Sequence, residues 1–171
     1  MNLRPGRNEY PEWYHNYVFA VPDGEIVDIL DKQLKSAAAL LNSIEEEKSF
    51  HRYAEGKWSI KELLGHVNDV ERIFAYRALR FIRKDKTNLS PMEQDDYVNA
   101  AQFDKLPFEE LKKEFRFLRK ATMMLFRNLE DEAWMRTGFS GGNEFTVRAM
   151  SYIIIGHAQH HFNILQDKYL K

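Results

Sequence analysis

Residues 146–169 read TVRAMSYIIIGHAQHHFNILQDKY, and this stretch carries the strongest signal for the fold. Its apolar residues recur at the three- and four-residue spacing of one helix face. His157 and His161 lie one helical turn apart, about 40° around the axis, and fall inside that apolar stripe. The stretch therefore predicts an amphipathic helix that points two imidazole rings into the protein interior. The apolar members of the stripe are Met150, Ile154, Ala158 and Leu165.

Three further segments show helical periodicity. The first runs from about Glu25 to Glu46, with Asp23 as its expected N-cap. The second runs from Ser59 to about Lys84, and its opening residues, Ser59-Ile60-Lys61-Glu62, match a capping box. The third opens at Pro107, a residue suited to a first helical turn. Because no alternating strand pattern persists, the sequence predicts an all-α four-helix bundle.

The segments outside these helices are long and polar. Residues 1–24 are expected to be irregular, and their dense aromatic residues indicate that they dock on the bundle. The link 85–106 is long enough to hold a short extra helix or a pocket wall, and a Gly141-Gly142 turn precedes the fourth helix. We interpret residues 1–171 as one domain, with the order of the helices in the bundle left open.

Composition excludes several classes of protein. The 171 residues include 25 basic and 26 acidic side chains, for a formal net charge of −1. A protein that binds nucleic acid or an anionic membrane uses a cationic face, so neither partner is expected. The chain has no cysteine, which excludes disulfides, thiolate zinc sites, iron–sulfur clusters and a cysteine nucleophile. No signal-peptide or membrane-spanning run is visible, so we expect a cytoplasmic protein.

The two inward-facing histidines need polar partners, since burying imidazole rings among aliphatic side chains without hydrogen bonds is costly. A divalent cation would satisfy both rings, because histidines spaced i,i+4 can present nitrogens to one point. His66, at the edge of the apolar face of the second predicted helix, is the third candidate ligand. Three imidazoles leave coordination open, which is typical of a reactive metal, and they accept most late first-row ions. The alternative is a buried histidine pair that is hydrogen-bonded to protein groups without a metal.

Two other residues are candidates for the site. Glu71 falls on the apolar side of the second helix, where an unpaired carboxylate would be unfavourable. It is either the ion-pair partner of an arginine such as Arg72, Arg77 or Arg148, or a general base or hydrogen-bond acceptor near the metal. Trp58 immediately precedes the second helix, and it either closes the end of the bundle or lines a pocket.

Four stretches carry a family likeness: residues 53–66 (YAEGKWSIKELLGH), 69–80 (DVERIFAYRALR), 95–97 (DDY) and 156–165 (GHAQHHFNIL). Together they resemble the DinB-like (damage-inducible) proteins, which also include the YfiT-like thiol transferases. The resemblance covers most of the chain from about Tyr17 onward. It implies an up-up-down-down-like four-helix bundle, a homodimer, and a metal held by His66, His157 and His161.

The resemblance also bears on cofactors. In DinB-like proteins the metal is variously zinc, nickel or another divalent ion, so zinc or nickel is expected here, with manganese or iron as alternatives. Members with an assigned activity are thiol-dependent transferases, in which the metal activates the thiolate of a small cofactor such as bacillithiol, mycothiol or glutathione. A low-molecular-weight thiol is therefore the second cofactor that the resemblance implies.

Three functions remain open at this point. The leading hypothesis is a metal-dependent enzyme acting on a small-molecule substrate, as a thiol-dependent S-transferase or a hydrolase. The metal would activate a thiolate or a water molecule, and Glu71 is the candidate for proton transfer. The second hypothesis is a non-catalytic dimeric bundle with a structural or vestigial metal. The third is a histidine-lined pocket without a metal.

Overall fold

The computed structural model describes residues 4–171, so residues 1–3 of the predicted N-terminal segment lie outside the described part of the chain. Its α-helices are, in chain order, α1 (His15–Ala20), α2 (Ile26–Asn42), α3 (Ile60–Ile82), α4 (Gln94–Ala101), α5 (Phe108–Arg127), α6 (Asp131–Trp134) and α7 (Val147–Ile164). Four of them, α2, α3, α5 and α7, are 17 to 23 residues long. A π-helical turn, Leu165–Tyr169, extends α7 to the end predicted from the sequence. Within residues 4–171, no helix is both long and apolar enough to cross a lipid bilayer.

Side-chain caps set the start of the two helices that carry the histidines. The Ser59 hydroxyl accepts a hydrogen bond from the Glu62 backbone N–H at 3.0 Å, and the Glu62 carboxylate accepts one from the Ser59 N–H at 2.7 Å. This reciprocal pair confirms the predicted capping box at the start of α3. The Thr146 hydroxyl accepts from the Ala149 N–H at 3.0 Å and caps α7.

The boundaries of α2 differ from the prediction. Asp23 is not its N-cap, because the helix begins at Ile26 and the Asp23 carboxylate instead pairs with Arg4 at 3.0 Å. The helix ends at Asn42 rather than near Glu46. The apolar periodicity continues beyond Asn42, since Ile44 is buried, but the chain there turns instead of completing another helical turn.

The long helices share one apolar core. α3 packs against α5 and α7, and α2 packs against the same two helices. The stripes predicted from the sequence supply the buried side chains, which are at most 2% exposed in such cases as Leu30, Leu64, Phe115 and Ile154. Burial of each large aliphatic or aromatic side chain contributes about 1.5–3 kcal/mol, so this core is the main source of stability.

A small sheet accompanies the helices, so the all-α prediction is wrong in this detail. Strand β1 (Asn88–Leu89) pairs in parallel with β2 (Thr137–Ser140), and β2 pairs antiparallel with β3 (Asn143–Thr146). The strands have two to four residues, too few to show an alternating pattern. Gly141 and Gly142 have φ values of +58° and +78°, as the type I′ hairpin turn between β2 and β3 requires.

The N-terminal segment, predicted to be irregular, contains the six-residue helix α1, which packs on α7. A Cβ on Gly156 would lie 2.1 Å from the Tyr17 carbonyl oxygen, so a larger residue cannot fit unless α1 moves. Arg4 fixes the segment by donating hydrogen bonds to the carbonyl oxygens of Val18 at 2.7 Å and Val21 at 2.6 Å. The link 85–106, as expected, contains an extra helix, α4.

Replacement of Gly156 by alanine tests this docking. In an ordinary helix interior the change would stabilise the protein by about 0.5–1 kcal/mol. Here we expect a loss of about 1–3 kcal/mol in the free energy of unfolding, because the methyl group overpacks against α1. Urea unfolding monitored by circular dichroism gives the sign directly, and a stabilised Gly156→Ala variant would show that α1 does not rest on α7.

Candidate metal centre

Three buried histidines lie together between α3 and α7. His66, His157 and His161 are 2%, 7% and 9% exposed, respectively. The Nε2 atom of His157 lies 3.1 Å from Nε2 of His66 and 3.1 Å from Nε2 of His161. One nitrogen from each ring falls within 4.8 Å of the other two. The structure therefore brings together the three side chains that were selected from the sequence, and we call them the histidine triad.

Helix geometry and packing explain how the triad forms. His157 and His161 are one turn apart on α7 and present their rings on the same side. His66 comes from α3, which packs on α7. Aromatic rings pack against the imidazoles. The ring centroids of Trp58 and His66 lie 4.7 Å apart, and those of Tyr17 and His157 lie 5.6 Å apart in an edge-to-face arrangement.

The triad rings are neutral near pH 7. Burial lowers the pKa of His66 to about 4 and that of His161 to about 3, because desolvation disfavours the imidazolium form. Burial lowers the pKa of His157 well below its usual value, and the other two rings add to that effect. A site of three neutral imidazoles has free lone pairs, which is the state in which histidine binds metal ions.

Hydrogen bonding within the triad leaves one contact unsatisfied. The Nε2 atom of a neutral imidazole carries either one hydrogen or one lone pair. His157 therefore cannot form a full hydrogen bond with both of the nitrogens that lie 3.1 Å away. Two nitrogens bound to one tetrahedral zinc ion, at 2.0–2.1 Å from it, would be about 3.3 Å apart. The donor set and the two 3.1 Å separations from His157 thus fit a divalent ion better than a hydrogen-bonded cluster.

Two cavities are lined by members of the triad. The larger, of about 550 Å³, is lined by His66 and His157 together with aromatic side chains that include Tyr17 and Phe74. The smaller, of about 350 Å³, is lined by His161, and Trp58 forms part of its wall. Each ring of the triad thus borders one of two cavities, and the three rings themselves are almost fully buried.

Glu71 does not line either of these cavities. Its carboxylate is 3% exposed and accepts hydrogen bonds from Nε and Nη2 of Arg119, each at 2.9 Å. Arg119 is completely buried and also donates to the Gln33 side chain, which in turn donates to the Ile155 carbonyl oxygen at 3.0 Å. This network joins α2, α3, α5 and α7. The structure thus favours the ion-pair interpretation of Glu71.

The partner of Glu71 was missed in the sequence. The three arginines considered there make other contacts. Arg119 lies four residues after Phe115 and three before Thr122, inside the apolar stripe of α5, and that position was the available signal. Tyr17 was also missed as a neighbour of the triad, because nothing local in the sequence shows that α1 crosses α7 at Gly156. The arginines that the sequence analysis offered as partners of Glu71 are Arg72, Arg77 and Arg148.

The fold and the site together define a class of helical bundle with an internal cluster of histidines from two helices. The family model of the DinB superfamily matches residues 29–165, and the chain belongs to that superfamily. Among curated proteins, none is significantly similar in sequence.

Solved structures share this fold at low sequence identity. YfiT from Bacillus subtilis, described as a probable metal-dependent hydrolase with an unusual four-helix bundle topology, is 13% identical with a TM-score of 0.72, over 97% of this chain and 91% of YfiT. A mycothiol-dependent maleylpyruvate isomerase is 13% identical with a TM-score of 0.68, over 91% of this chain and 66% of the isomerase. A DinB-like protein of B. subtilis, YjoA, is 18% identical with a TM-score of 0.62, over 86% and 90% of the two chains. The likeness to these proteins shows the DinB/YfiT-like bundle.

Replacement of Glu71 by glutamine tests its structural role. The variant leaves the Arg119 guanidinium buried without a charged partner, so we expect the free energy of unfolding to fall by about 3–5 kcal/mol. Glu110→Gln is the matched control, because Glu110 pairs with Lys113 on the surface and should contribute less than about 1 kcal/mol. Urea unfolding of both variants makes the comparison. Equal stabilities of Glu71→Gln and the wild type would contradict the structural assignment.

Proposed function

We propose that the chain is a metal-dependent enzyme that acts on a small molecule, with His66, His157 and His161 as the protein ligands of a divalent ion. The observation that carries this proposal is the meeting of three neutral, buried Nε2 atoms at the walls of two cavities. A divalent ion held by three imidazoles supplies Lewis acidity and lowers the pKa of a water molecule or thiol.

The surrounding residues would orient the reactants and exclude water. Trp58 covers His66 on the side of the smaller cavity, and Tyr17 and Phe74 cover His157 on the side of the larger one. Two cavities lined by different members of the triad suit a reaction between two molecules. Glu71 has no catalytic part in this proposal, because Arg119 binds both of its carboxylate oxygens.

The reaction class follows from the chain and its structural neighbours. YfiT is described as a probable metal-dependent hydrolase, and the isomerase as mycothiol-dependent. Since this chain has no cysteine, a thiol reaction here needs a soluble low-molecular-weight thiol. We propose thiol-dependent S-transfer or hydrolysis, with zinc or nickel as the metal and manganese or iron as alternatives, because imidazole ligands suit all four ions.

A non-catalytic dimer with a structural metal is the second candidate. It is favoured by exposed apolar side chains on the outer faces of α3 and α5, where Tyr76 is 50%, Phe117 68% and Met124 57% exposed. Such side chains are typical of an interaction surface.

We propose a homodimer under either function, and the cytoplasmic location stays a prediction from the sequence.

Metal affinity tests the ligand assignment. Alanine at His66, His157 or His161 should weaken zinc binding by more than about 100-fold, since loss of an outer-shell partner alone typically causes 10–100-fold. His160→Ala is the matched control, because His160 neighbours the triad on α7 but is exposed. Isothermal titration of metal-free protein measures each affinity. Wild-type affinity in any of the three triad variants would remove that histidine from the site.

Activity separates the two candidate functions. Metal-free protein is reloaded with zinc, nickel, manganese or iron and assayed for conjugation of bacillithiol, mycothiol or glutathione to a panel of electrophiles, and for hydrolysis of the same panel. We expect turnover with at least one metal, and its loss in His161→Ala. Metal that raises the melting temperature but restores no turnover would instead support the structural dimer.

A further inference from the structure

Arg77 is a buried cation in the wall of the larger cavity. Its side chain is 6% exposed, and burial lowers its pKa. Its guanidinium donates one hydrogen bond, from Nη2 to the Ser90 carbonyl oxygen at 2.8 Å. Among residues 4–171, it forms no ion pair with a carboxylate. A buried guanidinium without a counter-ion is unfavourable, so an anionic ligand in the cavity would be stabilised by Arg77.

The position of Arg77 relates it directly to the triad. It follows His66 by three helical turns on α3, which places the two residues within about 20° of the same helix face and about 16 Å apart along the axis. Val70 and Phe74 lie between them and line the same cavity. One continuous strip of α3 therefore runs along the cavity from the histidine triad to the guanidinium.

Aromatic rings form the apolar part of this cavity. Phe74 lies under the guanidinium, 5.3 Å from ring centroid to Cζ. Tyr14 packs edge-on against both Phe74 and Phe145, with centroids 6.1 and 5.7 Å apart, and all three rings line the cavity. A volume of about 550 Å³ lies in the range of sites for small organic ligands.

We propose that this cavity binds a small carboxylic acid, whose carboxylate pairs with Arg77 and whose apolar body packs on the aromatic rings. The planar guanidinium still has N–H donors free for such a pair, because only one of them is used by Ser90. Glu93 also lines the cavity, but its carboxylate is exposed and does not pair with Arg77. This inference deepens the proposed function, since it names the substrate class of the site beside the triad.

Binding of matched probes tests the proposal. Isothermal titration compares 3-phenylpropanoate with its neutral amide, 3-phenylpropanamide, on zinc-loaded and on metal-free protein. We expect the acid to bind roughly tenfold or more tightly than the amide in both forms, because a charge-assisted pair with Arg77 does not involve the metal. Arg77→Met should abolish the preference, whereas Arg83→Met, at the exposed arginine that follows the last residue of α3, should leave it unchanged.

Arg77→Lys keeps the test valid if the methionine variant does not fold. It retains the charge and loses the planar fork, so we expect weaker binding of the acid with some preference over the amide preserved. Three results would overturn the proposal: equal binding of acid and amide to the wild type, a full preference in Arg77→Met, or a preference that requires zinc. Failure of the proposed function is a different result, namely no zinc uptake or no turnover while the metal-free preference for the acid persists.

Discussion

The packing of α3 against α7 brings the imidazole ring of His66 next to that of His157, and the rest of the site depends on that contact. The two Nε2 atoms lie 3.1 Å apart, and the turn of α7 adds His161 at the same distance from His157. Because the rings are buried and neutral, each must find a partner for its free nitrogen. A shift of either helix by one residue would turn a ring by about 100° and take it out of the cluster.

A second buried network keeps the four long helices in register. Gln33, Glu71, Arg119 and the Ile155 carbonyl contribute one group from each of α2, α3, α5 and α7. A buried ion pair adds little net stability over apolar packing, yet loss of one partner is strongly destabilising, so such a network favours one arrangement of the helices. α1 contributes the Tyr17 ring that packs against His157, and Gly156 lets the backbone of Tyr17 approach α7 closely enough for this contact.

The sequence predicted what local periodicity and capping determine. The four long helices, the Ser59 cap and the inward face of the triad follow from spacing along one helix at a time. The DinB superfamily was also predicted, because its motifs are contiguous stretches of sequence. The short strands were missed, because pairing between distant segments stabilises them and no local pattern reports it. The position of Arg119 inside the apolar stripe of α5 marks it as a buried charge, but its pairing with Glu71, 48 residues away, depends on how α3 packs against α5, which no local pattern reports.

X-ray absorption at the zinc K-edge of the zinc-loaded protein tests the central claim most directly. If the triad binds the ion, the spectrum will fit three imidazole nitrogens at about 2.0–2.1 Å and one further ligand atom that does not come from the protein. The same measurement on the His66→Ala variant should show one imidazole fewer. A zinc ion bound by fewer than three histidines in the wild type, or by three in the variant, would contradict the account.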